Sequence, residues 1–188
     1  RWIELRSLAL DRGADPADAI DAGILARYRL RDGAMARAFF DHAFERAEGD
    51  ARRFLAGELV TMVDPIEELP RWLELTEARR ALTEDPEARA QLEHELARGL
   101  ADLADDPERA SEHALACLAL APAHAPALEL LARLDGGVGP ALAAAWRRAA
   151  EATDDPALRA DALARVADAH RESAPLAWVE AEAAAPGD

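Results

Sequence analysis

Five Asp-Pro steps punctuate the chain, at Asp15-Pro16, Asp64-Pro65, Asp85-Pro86, Asp106-Pro107 and Asp155-Pro156. An aspartate carboxylate accepts from the free N–H groups at a helix start. A proline in the first helical position has no N–H to leave unbonded, and its φ is already set for the helix. Each step therefore predicts the beginning of a helix. Glu87 and Glu108 follow in first turns, where the helix dipole favours acid. Between the steps the chain is rich in alanine, leucine, glutamate and arginine and poor in valine, isoleucine, threonine and tyrosine. Such a composition favours helix and leaves little from which to build a sheet. The expected fold class is all-α.

The caps and connectors predict helices over 2–11, 16–31, 34–48, 50–63, 70–82, 86–103, 107–120, 125–134, 140–152, 156–171 and 174–184. Links as short as Arg12-Gly13 and Asp32-Gly33 force antiparallel neighbours, so the helices should stack as hairpins in one domain over 1–188. The Gly-rich stretch 135–139 fits a helix C-cap followed by Pro140 as the next start. An internal echo supports repetition: Thr83-Glu84-Asp85-Pro86-Glu87-Ala88-Arg89-Ala90 returns as Thr153-Asp154-Asp155-Pro156-Ala157-Leu158-Arg159-Ala160. The offset is about two repeats of the 34-residue class. The chain opens on Arg1 rather than methionine, which predicts a piece of a longer polypeptide.

The formal charge of −15 and the pI near 4.7 make nucleic acid and anionic membranes poor partners. Every basic residue is an arginine, and lysine and asparagine are both absent, as codon bias in a GC-rich genome would produce. Cys117 is the only cysteine, which excludes an intrachain disulfide and a cysteine-based metal site and fits a reducing cytoplasm. No signal peptide or long apolar span is present, so no membrane insertion is expected.

The stretch Asp105–Leu134 resembles the tetratricopeptide-repeat family, with the second helix of one repeat running into the first helix of the next. Ala110, Ala114, Cys117 and Pro122 stand at the small, packing, small and proline positions of that motif, and Leu96-Ala97 supply the apolar-then-small pair of the preceding helix. The spacing is physically apt. Ala110, Ala114 and Cys117 lie on one helical stripe and allow two helices to close on each other. Partial echoes occur at Val166-Ala167 with His170 and at Ala36, Phe40 and Ala43. The motif is clear over 83–186 and irregular over 1–82, where Pro65 and Pro70 point to a broken helix or an insertion. The resemblance implies an α-α superhelix of about ten or eleven helices.

Candidate chemistry meets plainer explanations. His94-Glu95 would open a zinc-protease motif, but Arg98 stands where the second histidine is needed. His94 and His113 are placed to meet across a hairpin, yet two histidines fall short of the three or four ligands that zinc wants. The acidic pairs Glu67-Glu68, Asp105-Asp106 and Asp154-Asp155 sit at helix starts and beside arginines, where capping and solvated pairing explain them. Trp72 and Trp146 read as bulky fillers of repeat interfaces. No enzyme, metal or cofactor is expected.

The resemblance implies a groove lined by the first helix of each hairpin. Its phase selects Gln91, His94 and Arg98, then Glu129 and Arg133, then Asp161, Asp168 and Arg171. Arginines among acids can hold a carboxylate or a peptide backbone. The expected function is a scaffold that binds a peptide or a protein helix in this groove. The alternative is a structural or oligomerising module of a larger protein, in which terminal apolar residues such as Trp2, Ile3, Trp178 and Val179 pair with other domains or copies. The branch of the family that binds chaperone tails clamps a terminal carboxylate with lysines and asparagines; with neither present, that mode is not expected here.

Overall fold

A computed structural model describes residues 15–136 and 139–168. All regular structure among the described residues is helical. The predicted helices 2–11 and 174–184, and the last residues of 156–171, lie outside the described residues. The helices group into two compact units that divide between Glu84 and Asp85, within the repeated Asp-Pro block.

The first unit contains α1 (Pro16–Ile24), α2 (Gly33–Phe44), α3 (Gly49–Val60) and α4 (Leu69–Ala81). Asp15 caps α1 by accepting from the Ala17 N–H at 3.0 Å. Where one helix over 16–31 is predicted, α1 runs instead into a π-helical turn, Leu25–Leu30. The turn ends on Arg31 in the left-handed region, and Asp32 then caps α2 through the Met35 N–H at 2.9 Å. The wider turn lets two consecutive side chains reach one carboxylate: Arg27 Nη1 lies 2.7 Å from Glu58, and the Tyr28 hydroxyl lies 3.0 Å from it. The core gathers Phe40, Phe44, Leu55, Leu59 and Leu75. Gly23 permits the close approach of α1 to α2, since a Cβ there would lie 2.4 Å from the Phe40 ring.

α2 ends at Phe44, short of the predicted 48. Arg52 of α3 donates to the Phe44 carbonyl at 3.0 Å, and its guanidinium lies 4.2 Å from the centre of the Phe44 ring, so the helix end is satisfied from across the hairpin. The Asp64-Pro65 step starts only a turn, a correction to the expectation that each such step opens a helix. Asp64 does accept from the Ile66 N–H at 2.8 Å. Pro70 follows too closely, however: a helix from Pro65 would carry it in its interior, without an N–H for the ladder. The helix therefore begins at Leu69, with Pro70 in its first turn. Arg37 of α2 pairs with Glu68, and Arg71 of α4 pairs with Asp41 of α2. The Arg37 guanidinium holds the Glu68 carboxyl below its usual range.

The second unit contains α5 (Pro86–Asp102), α6 (Pro107–Leu120), α7 (Ala125–Leu134), α8 (Pro140–Ala152) and α9 (156–168). Asp85 and Asp106 cap α5 and α6 by accepting from the N–H groups of Ala88 and Arg109. Ala110, Ala114 and Cys117 are wholly buried, as their stripe of small side chains predicts. Trp146 is buried in the same core, and Arg165 of α9 covers its ring at 4.6 Å. The repeated Asp-Pro block shows its physical content here. Asp155 caps α9 through the Ala157 N–H at 2.8 Å, while Arg159 reaches back to the carbonyls of Ala150 and Thr153, at 3.2 and 2.6 Å. One block thus starts a helix and closes the one before it.

Candidate functional site

The face selected from the sequence lies on α5 and α7. Residues three and four apart on α5 share a side of the helix, so His94 and Arg98 align. On α7 the same spacing aligns Glu129 and Arg133. The packing of α7 beside α5 brings these four residues around one open pocket of about 390 Å³, completed by Asp102, Pro126 and Leu130. Arg98 and Arg133 do not face it as two independent cations. Both turn to Asp102, with Arg133 Nη2 at 2.6 Å from one carboxylate oxygen and Arg98 Nε at 3.7 Å from the other.

His94 forms the inner wall. It is only 8% exposed, and its Nδ1 atom is buried with no hydrogen-bond partner among the described residues. Its ring lies against that of His124, with centroids 4.9 Å apart and planes tilted by 54°. Burial first, then the His124 ring and the Arg98 guanidinium, push His94 below the usual histidine pKa. His124 also caps α7, where its Nδ1 accepts from the Ala127 N–H at 3.2 Å. On its other side His124 lines a second open pocket of about 710 Å³, with Gln91, Asp85, Glu87, Pro122 and Ala152.

The remaining groove candidates are placed elsewhere. Gln91 lies in this second pocket rather than with Arg98. Asp161 is exposed on α9 and pairs with Arg165 at 3.0 Å. Asp168 is exposed at the end of the described part of α9, and Arg171 lies outside the described residues.

The sequence places His94 and His113 to meet across the hairpin; the ring found against His94 is that of His124. His113 instead takes Glu93, with Nδ1 at 2.7 Å from the carboxylate, because Glu93 projects into the α5–α6 seam and is only 2% exposed. Cys117 lies one turn beyond His113 in that seam, where burial, with Glu93 adding, pushes its thiol up to about 11. At neutral pH the thiol stays protonated and is a poor nucleophile. Among the described residues no group of three or more His, Cys, Asp or Glu side chains could hold a metal ion. None of their helices is long and apolar enough to cross a membrane.

Comparison with known proteins gives no match to any protein-family model, curated protein or solved structure. The pocket's chemistry therefore has to be read from the chain itself. Asp102 in this pocket, and His124 against the ring of His94, escape a motif-based reading. Asp102 is four residues after Arg98, a spacing that marks it as an ion-pair partner. His124 stands before Ala125-Pro126, in the capping position that aspartate fills at the starts of α1, α2, α5, α6 and α9, and its ring nitrogen replaces the carboxylate as acceptor.

Proposed function

We propose that the chain acts by binding rather than by catalysis, as a tetratricopeptide-like scaffold whose surface between α5 and α7 receives a peptide or a protein helix. The observation that carries this reading is the convergence of His94, Arg98, Glu129 and Arg133, from two helices, on one open pocket. Charges of both signs, a half-apolar floor and rigid helical walls suit a polar peptide surface, and a preformed wall limits the entropy lost on binding. The net charge of −15 argues against nucleic acid as the partner. A terminal carboxylate would have to compete with Asp102 for both arginines, so an EEVD-type tail is expected not to bind.

Affinity capture from a source lysate with wild-type protein, compared with an Arg98→Ala/Arg133→Ala double variant and an Asp161→Ala control, tests the proposal. A partner bound by wild type and control should lose about tenfold or more in affinity for the double variant. Equal binding by all three would show that the pocket is not the contact.

A second reading, an oligomerising or structural module, is favoured by α9. That helix buries Ala162 and Val166 but leaves Leu158 56% and Leu163 50% exposed. Light scattering across a range of concentrations should then show self-association that Leu158→Glu/Leu163→Glu abolishes. A monomer at all concentrations rejects pairing between copies through this face.

A further inference from the structure

The His94–His124 contact is built for uncharged rings. His124 caps α7 only while its Nδ1 carries no proton, because that atom accepts from the Ala127 N–H. Once doubly protonated, the ring would present a donor and a positive charge to the positive end of the helix, reversing the interaction. His94 faces a parallel constraint. Its ring is more than nine-tenths buried, lies 4.9 Å from His124 and shares its pocket with the Arg98 guanidinium. A charge on the His124 ring therefore opposes a charge on His94.

The surroundings do not offset this. The α5 carboxylates Asp85 and Glu87 line the outer side of His124, and Glu129 of α7 lines the pocket outside His94. All three belong to open, solvent-filled surfaces where screening is strong. Asp85 is already engaged by the Ala88 N–H, and Asp102 by Arg98 and Arg133. From the α6–α7 turn and from α8 the second pocket receives only Ala121, Pro122, Ala123 and Ala152, none of them charged.

We propose that the tilted His94–His124 contact makes the docking of α7, and with it the pocket between α5 and α7, acid-labile: closed at neutral pH, with opening increasingly favoured as the pH falls below about 6.5. Its meaning as control of ligand release rests on the binding reading above; the opening itself does not. The sign follows from linkage. In the open state His94 takes up a proton near its ordinary value of about 6.5. The docked state, with its lowered value, resists until a more acid pH. The open state thus binds more protons across that interval and gains population as the pH falls.

Native-state amide hydrogen exchange of Leu128 and Leu131, corrected for intrinsic rates, measures the opening of α7 directly and without a ligand. Between about pH 7.5 and about pH 5 the opening constant should rise about tenfold or more relative to Leu55 and Leu59 of the first unit. A His94→Gln/His124→Asn variant keeps polar side chains and a good cap and should lose that rise. His42 and His113 remain in the variant, so a contribution from either would survive there. An unchanged opening constant in the wild type, or the same rise in the variant, overturns the proposal. Failure of the Arg98/Arg133 binding test would leave this result standing, so the two are separable.

Discussion

Replacing Phe40 by alanine should lower the stability of the first unit by about 3–5 kcal/mol, the usual cost of emptying a buried aromatic site. Phe40 is fully buried, meets Phe54 edge to face at 6.3 Å and closes the gap left by Gly23. The sharper test is a double-mutant cycle with Gly23. In the wild type, Gly23→Ala drives a methyl to 2.4 Å from the Phe40 ring and should cost about 1–3 kcal/mol through overpacking. In the Phe40→Ala background the ring atoms that the methyl would strike are gone. There it should be neutral or stabilising by up to about 1 kcal/mol, since alanine is the better helix former. Urea denaturation of the four proteins measures the cycle. An equal cost of Gly23→Ala in both backgrounds would show that contact with Phe40 is not what requires the glycine.

His113→Leu should destabilise the second unit by about 1.5–3 kcal/mol, the usual worth of a hydrogen bond to a charged group, because it removes the 2.7 Å contact of His113 with a carboxylate that is 2% exposed in the α5–α6 seam. Glu93→Leu/His113→Leu should regain most of this loss. Replacing both members of a buried pair by apolar groups removes the desolvation cost along with the attraction. Thermal denaturation at neutral pH reads both variants. If the double variant is as unstable as His113→Leu alone, packing of the seam outweighs the buried charge.

The features legible in the sequence were those carried by neighbours along the chain. Asp85, Asp106 and Asp155 each cap the helix that starts at the following proline, and the small residues Ala110, Ala114 and Cys117 lie where α6 is buried. Asp64 shows the limit: its local capping chemistry forms, but Pro70 a few residues later decides how far a helix can extend. The π turn was not legible, because its reach to Glu58 joins residues some thirty apart in the chain. Of the residues that the helical phase set on one face, His94, Arg98, Glu129 and Arg133 line the candidate pocket, whereas Gln91 and Asp161 lie elsewhere. A phase describes which side of a helix a residue occupies. Which neighbour it meets there depends on where along its length the next helix crosses, and one histidine turned toward Glu93 while the other turned toward His124.

The wide turn at Leu25–Leu30 bears on how the chain tolerates changes of length. An α-helix that gains a residue must either rotate everything beyond it by about 100° or let one turn bulge. In the first unit the bulge lies after the buried positions Ala19 and Gly23 and before the Asp32 cap, so the frame of α2 begins afresh beyond it. The segment has the geometry of an expansion joint. A residue gained or lost there is expected to act first on the local winding around Ala26 and on the Arg27–Glu58 contact, ahead of Phe40 and the α2 frame that Asp32 restarts.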